Sequence, residues 1–256
     1  MTRTNAFKAG LQTGRPQVGM WASLASPLAT EVLAGAGLDF IVIDSEHAPN
    51  DAAEIVAQLQ ACAAGGTTPA AVRAWWNDRV AIKRILDCGA ETIVVPYVQT
   101  PDEAREAVAS VRYPPAGARG AAGATRANAF GREPGYWGEA DDRICLVVQV
   151  ETAAAIEAAS DIAAVDGVDV VFVGPGDLAA DLGVIHDRQH DSVRRALERA
   201  LAKITAAGKP AGVMAGSIQD ARGLLDMGFS MVSVATELVH LRVIVDKVVS
   251  ELKETA

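Results

Sequence analysis

Four stretches of the chain set chemically capable side chains directly behind apolar runs. Residues 40–43 lead into Asp44, Ser45, Glu46 and His47 before Pro49 breaks the chain, and residues 69–72 end in Arg73. Residues 144–148 lead to Gln149 and Glu151, and residues 168–173 lead to Gly174, Pro175, Gly176 and Asp177. Carboxylates such as Glu151 and Asp177 can ligate a hard divalent cation while leaving coordination positions for water and substrate oxygens. His47, in a polar cluster, suits a general base. A fixed guanidinium at Arg73 would stabilise a developing enolate oxygen. Gly174 and Gly176, opening a helix, would let backbone N–H groups approach an anion such as a substrate carboxylate.

Each of these residues has an ordinary explanation when taken alone. Acids after strands cap helices, arginines sit on surfaces, and lone histidines are structural. The case rests on convergence, which the surrounding elements must supply. Eight β-branched runs recur: QVGMWAS (17–23), FIVID (40–44), PAAVR (69–73), TIVVPY (92–97), ICLVVQV (144–150), VDVVFVG (168–174), PAGVMAG (210–216) and SMVSVA (230–235). Most are continuous rather than alternating, as strands buried on both faces of a parallel sheet are.

Helix signals fill the gaps. Ser26-Pro27 is an N-cap followed by proline, and Asp51/Glu54 and Thr100/Glu103 have capping-box spacing. Ile55, Val56, Leu59, Cys62 and Ala63 predict one helical stripe, while Gly37, Gly89, Gly208 and Gly228 stand where helices end. Eight alternations in 256 residues predict a single (β/α)8 barrel domain over 1–256, in which the candidate residues share the carboxyl-end mouth. Two stretches fall outside the alternation. The connection 113–142 is too Gly/Ala-rich for a packed element and reads as a long functional or partner-held loop. The last helix, 237–253, is apolar at Leu238, Leu241, Val245, Val248 and Leu252, and also at Val239, Val243, Ile244 and Val249. So wide a stripe predicts a subunit interface.

Composition removes several classes of function. A net charge of -9 without a basic run gives no electrostatic footprint for nucleic acid or an anionic membrane. No apolar run approaches the roughly 20 residues of a membrane span, and the polar N-terminus lacks a signal-peptide core. A cytoplasmic protein is expected. Cys62, Cys88 and Cys145 form no CxxC pair and read as reduced core residues. His186, His190 and His240 show no ligand spacing. No lysine is placed for imine chemistry, since Lys83 sits in a helix and Lys209 precedes strand 7, and no nucleotide-binding glycine motif follows a strand.

With these residues in view, the chain resembles the HpcH/HpaI family of class II, metal-dependent pyruvate aldolases. The resemblance is carried by GMWASLASPLATEVLAGAGLDFIVIDSEHAPND, VRAWWNDRVAIKRILDCGAETIVVPYVQTPDEA, RYPPAGARG, VQVET and VFVGPGDLAADLG, in order along nearly the whole chain. It implies a (β/α)8 barrel, assembled as a hexamer (a trimer of dimers) whose last helices exchange between subunits. It also implies reversible cleavage of 4-hydroxy-2-oxo acids to pyruvate or hydroxypyruvate plus an aldehyde. Carried over to this sequence, the metal ligands fall on Glu151 and Asp177, with Mg2+ or Mn2+ expected and Co2+ or Zn2+ as further candidates. The base falls on His47 and the enolate-stabilising arginine on Arg73. Keto-acid contacts fall on Gln149, Gly176 and Asp177, and an aspartate that raises the basicity of the histidine falls on Asp87. Asp87 stands late in the helix after strand 3, near the end of the barrel opposite the mouth, which leaves open whether it acts from the same or a neighbouring subunit. Asp44 could orient the histidine or a metal-bound water, with Glu46 as a structural partner. Gly176 stands where relatives often carry alanine or serine, and Ala74-Trp75 replaces a common Val-Pro. The rival readings are an acyl-CoA lyase of the citramalyl- or malyl-CoA type and a non-catalytic keto-acid-binding barrel.

Overall fold

All eight apolar runs become strands. They are β1 (Gln17–Ala22), β2 (Phe40–Asp44), β3 (Ala70–Arg73), β4 (Thr92–Val95), β5 (Cys145–Val150), β6 (Val170–Val173), β7 (Ala211–Ala215) and β8 (Met231–Thr236). In the computed structural model, which describes residues 4–253, each strand pairs parallel with the next and β8 closes on β1. Helices run between the strands in the expected alternation, so the fold is the closed (β/α)8 barrel. Residues 1–3 and 254–256, which belong to the polar N-terminus and the 1–256 span of the sequence reading, lie outside the described residues.

The strands are apolar on both faces because both are covered. One set of side chains fills the barrel, including Trp21, Phe40, Val42, Ala71, Val147 and Phe172. The alternate set, including Ile43, Val72, Val148 and Val171, packs under the helices. This period of two fixes the direction of the chemistry. Asp44 follows Val42, Arg73 follows Ala71, and Gln149 follows Val147, so each continues the inward set at a strand's carboxyl end.

The local signals perform as read. Ser26 Oγ accepts from Ala29 N–H, Glu54 accepts from Asp51 N–H at 3.0 Å, and Thr100 and Glu103 cap each other. Gly37, Gly89, Gly208 and Gly228 all take positive φ. Cys62 and Cys145 are buried, Cys88 is half-buried, and all three thiols are free.

Three features differ from the sequence reading. A helix at Ala6–Gln12, where no element was expected, plugs the amino end of the barrel. Its Phe7 ring lies 5.2 Å from that of Phe40, and Asn5 Nδ2 donates to Glu91 O, Thr92 Oγ1 and Arg143 O. The buried stripe of the helix Ala52–Gly65 is Ile55, Gln58, Leu59, Ala61 and Cys62, with Ala63 exposed. Hydropathy finds Ile55, Leu59 and Cys62 but misses Gln58, which is polar yet fully enclosed by hydrogen bonds.

The third correction concerns 113–142, which is built rather than structureless. It contains a 3-10 turn (Arg126–Gly131) and the helix Tyr136–Arg143. Its core is polar-aromatic, so apolar content does not reveal it. The wholly buried Arg119 side chain lies 4.5 Å over the Tyr113 ring, and donates to Tyr136 Oη and to Asp87 Oδ1, both at 3.2 Å. Asn128 closes the turn by accepting from the N–H groups of Thr125 and Gly131. Truncating Arg119 leaves a void and strips a carboxylate of its partner, which costs about 3 kcal/mol for a buried pair. Arg119→Ala should therefore lower the urea midpoint clearly, and an unchanged midpoint would show that the segment is held by something else.

Candidate active site

The exit of β2 is organised around one carboxylate. Asp44 Oδ1 accepts from Arg73 Nε at 2.8 Å and Oδ2 from Arg73 Nη2 at 2.7 Å, a bidentate pair. Oδ1 also receives the backbone N–H groups of Glu46 (3.0 Å) and His47 (3.4 Å). Arg73 Nη1 stands 2.9 Å from Glu46 Oε2, and the guanidinium lies 4.3 Å over the Trp21 indole. Trp21 is held in turn by Ser233 Oγ at 2.7 Å. Behind the turn, Asn50 Nδ2 donates to Asp44 O, Gln58 Nε2 to Asn50 Oδ1, and Thr30 Oγ1 to Gln58 Oε1.

His47 stands at the apex of this clamped turn, with its side chain 64% exposed. Glu46 is the acid that faces its ring, with Oε2 3.9 Å from His47 Nε2, whereas Asp44 holds the histidine through its backbone. Burial raises the Glu46 carboxyl, against the pull of Arg73.

The exit of β5 carries Glu151, 1% exposed. Its Oε1 accepts from Tyr97 N–H at 2.9 Å and its Oε2 from Gln149 Nε2 at 2.7 Å. Tyr97 takes a φ of 53°, a left-handed conformation that costs a non-glycine residue about 1–2 kcal/mol, and in it the N–H reaches Glu151. Gly174 is required here for space. A Cβ at that position would collide with Glu151 Oε2, and the Gly174 N–H is already taken by Val150 O. Gly174 thus makes room for a carboxylate and does not offer an N–H group to an anion, which corrects the sequence reading. Burial pushes the Glu151 carboxyl up to about 7; the Gln149 and Tyr97 hydrogen bonds oppose that rise, while Asp177 and Glu46 add to it.

Asp177 lies in the first turn of the helix Pro175–Asp181. Among the described residues no group of three or more His, Cys, Asp or Glu side chains is placed to hold a metal ion. The residues do fit a cation that takes part of its coordination from water and substrate. Glu151 is a buried carboxylate bonded only to N–H donors of neutral groups, and Gln149 Oε1 is buried with no hydrogen-bond partner. A buried anion without a cation is unfavourable, and an all-oxygen donor set suits a hard divalent ion.

One cavity of about 530 Å3 brings together Asp44, His47, Arg73, Gln149, Glu151, Gly176 and Asp177. Asp87 is not brought there. It ends the helix Arg79–Asp87, toward the amino ends of the strands, and pairs with Arg119. No described lysine lines the cavity; Lys8 and Lys209 donate to Ile144 O and Val168 O at the opposite end. His190 caps the helix Asp191–Ala206, His240 meets Val234 O, and His186 is exposed. Sequence reasoning missed Trp21 and Phe172, whose inward strand phase could have revealed them. It also missed Arg188 and Ile185 on the rim, where no periodicity marks them, and read Leu238 and Val239 only as part of the apolar stripe of the last helix.

The raised Glu151 carboxyl has a consequence for stability. Its ionisation is less favourable in the fold than in the open chain, so its contribution is complete below its ordinary value of 4.5 and is lost as pH rises through about 7. In metal-free protein at pH 8 the ionised group costs at most about 3 kcal/mol. Metal-free Glu151→Gln should therefore melt several degrees above metal-free wild type at pH 8, and the gap should narrow toward pH 5. A lower melting temperature at pH 8 would refute this.

Comparison with known proteins agrees with the geometry. Residues 17–243 match the family model described as HpcH/HpaI aldolase/citrate lyase. A protein of Salmonella arizonae named 4-hydroxy-2-oxo-heptane-1,7-dioate aldolase is 47% identical over 234 residues, covering 91% of this chain and 89% of that one. A solved HpcH/HpaI aldolase/citrate lyase family protein from Burkholderia cenocepacia J2315 superposes with a TM-score of 0.95 at 39% identity, covering 98% of this chain and 100% of the other. The HpcH/HpaI aldolase of Desulfitobacterium hafniense DCB-2 gives 0.88 at 30% identity, covering 96% of both. With its whole barrel matched and its acids, histidine and arginine gathered at one mouth, this chain belongs to the HpcH/HpaI aldolase/citrate lyase family.

Proposed function

We propose that this protein is a divalent-metal-dependent aldolase that reversibly cleaves 4-hydroxy-2-oxo acids to pyruvate, or hydroxypyruvate, and an aldehyde. The observation that carries this reading is the buried Glu151 carboxylate, bonded to no cationic side chain and lying beside Asp177 in a cavity that also holds His47 and Arg73. The names of the similar aldolases point the same way.

Glu151 and Asp177 would hold the ion, with Mg2+ or Mn2+ suiting the oxygen donors. A divalent cation there supplies Lewis acidity that makes C3 of a 2-oxo acid a stable carbanion equivalent. The protein groups do the rest. His47 takes the proton of the 4-hydroxyl as the C3–C4 bond breaks, and the C4 oxygen becomes the aldehyde carbonyl. The electron pair of that bond moves onto the keto-acid fragment, where Arg73 stabilises the negative oxygen. Arg73 can do so without reorganising, because Asp44, Glu46 and Trp21 fix its plane. Gln149 orients the keto acid through the Oε1 that the protein leaves unbonded. Protonation at C3 then gives the methyl group of pyruvate.

Two subunit-level roles belong to the same reading. The helix Glu237–Lys253 buries only Glu237 and exposes Leu241, Ile244, Val245 and Val248, which supports exchange of this helix between subunits of a hexamer. Asp87, remote from His47 in its own chain, acts across a subunit boundary. A cytoplasmic location is in keeping with the free thiols.

Two measurements test the proposal. Metal-stripped enzyme should lose exchange of pyruvate C3 protons for deuterium and regain it with Mg2+ or Mn2+, and His47→Ala should abolish exchange even with metal restored. Full exchange in stripped enzyme sinks the metal role, and near-normal exchange in His47→Ala sinks the base. Sedimentation should show a hexamer that Val245→Asp together with Val248→Asp dissociates, whereas a monomeric wild type would end the exchange proposal.

A further inference from the structure

Arg188 is the one cationic side chain of the mouth that the proposed mechanism leaves unused. Arg73 is committed to Asp44 and Glu46, but Arg188 makes no hydrogen bond or ion pair among the described residues. Its guanidinium lies against Gly176, with atoms 3.5–3.8 Å from where a Cβ would stand, next to the residue that opens toward Asp177. Arg188, Pro175, Met214 and Val239 line both the mouth cavity and an adjoining one of about 200 Å3, so the guanidinium stands between the two.

The walls beside it are apolar. Ile185, Met214, Leu238 and Val239 face the same cavity, and no described carboxylate lies within ion-pairing distance of Arg188. The deep end of the site holds the polar groups for a 2-oxo acid. The outer end therefore offers an aliphatic wall that ends in one free, fork-shaped cation. Such a surface matches a short alkyl chain with a terminal carboxylate, since a guanidinium binds carboxylate through two parallel hydrogen bonds. In a protein of net charge -9, with Asp44, Glu151 and Asp177 lining the mouth, an anionic chain would otherwise be repelled.

We infer that Arg188 determines the specificity of the outer subsite by binding the distal carboxylate of an ω-carboxy aldehyde, the fragment that carries C4 and beyond of the cleaved substrate. The inference rests on the aldolase reading and specifies its second substrate. Cleavage between C3 and C4 of a 4-hydroxy-2-oxo-heptane-1,7-dioate gives pyruvate and 4-oxobutanoate, an aldehyde of this class. The carboxylate is bound at the rim and takes no part in the bond changes, so its contribution appears in KM.

The test is aldol addition of pyruvate to 4-oxobutanoate and to the uncharged pentanal, with pyruvate C3 exchange measured alongside. Wild type should show a KM for 4-oxobutanoate about tenfold or more below that for pentanal, as expected for a charge-assisted pair. Arg188→Gln should erase that preference by raising the 4-oxobutanoate KM, with a smaller effect on kcat, and Arg188→Lys should restore part of it. The preference of wild type should also weaken with added salt. Equal KM values in wild type overturn the inference, and so does an Arg188→Gln enzyme that keeps the preference. A loss in Arg188→Gln confined to the pyruvate KM also overturns it, by moving Arg188 to the keto-acid end. If wild type exchanges pyruvate protons and adds to aldehydes without discrimination, only the Arg188 assignment falls. If it does neither, the aldolase reading itself falls.

Discussion

The mouth depends on the bidentate pair between Asp44 and Arg73. These residues are register partners across β2 and β3, so the pair can form only if those strands align as they do. A buried ion pair is favourable only when its remaining hydrogen-bonding capacity is also satisfied. Here Asp44 takes two backbone N–H groups from the turn that follows it, and Arg73 takes Glu46 on one side and the Trp21 face on the other. The same contacts that make the pair tolerable therefore fix the turn that presents His47. Positioning of His47 and stability of the barrel end are one requirement.

That arrangement leaves the charges of the mouth unbalanced in a specific way. Arg73 is flanked by two carboxylates and makes no hydrogen bond or ion pair with Glu151. Glu151 is instead stabilised by neutral N–H donors, one of them reached only through the left-handed backbone of Tyr97. Burial, with Asp177 and Glu46 adding to it, pushes its carboxyl up to about 7 against those hydrogen bonds. A site that is least comfortable as a bare anion is the one that gains most from a cation, and strain of this kind is held in place by the surrounding barrel.

Legibility in the sequence followed the physics of each signal. The strands were readable because continuous β-branched runs have one natural home, and their phase carried Asp44, Arg73 and Gln149 to the inside. The helix caps were readable because capping chemistry is local. The 113–142 segment was not, since it is held by Arg119 between tyrosine rings and by an asparagine-closed turn, neither of which shows as hydrophobicity. Gln58 misled the stripe of its helix for the same reason, because burial by hydrogen bonding looks polar in sequence. At the mouth, the roles of Asp44 and Glu46 could not be separated in advance. Both stand at the exit of one strand, and only the turn geometry gives Asp44 the bidentate hold on Arg73 and the backbone and sets Glu46 between Arg73 and the histidine ring. Arg188 lay in a loop without periodicity and gave no signal.

The first residue of the last helix shows how the rim and the exposed apolar stripe are connected. Glu237 Oε1 accepts from Ser23 N–H at 2.6 Å and Leu24 N–H at 2.7 Å, which pins the helix start to the loop after β1. The next two residues, Leu238 and Val239, line the cavity, and the helix then runs on with its apolar side chains in solvent. A rigid helix with one end in the rim and the other on an uncovered surface couples whatever packs on that surface to the shape of the outer subsite. The groups that hang from β2, β3 and β5 are instead locked by contacts within the barrel. A second subunit packed on that stripe would therefore bear first on the cavity rim at Leu238 and Val239.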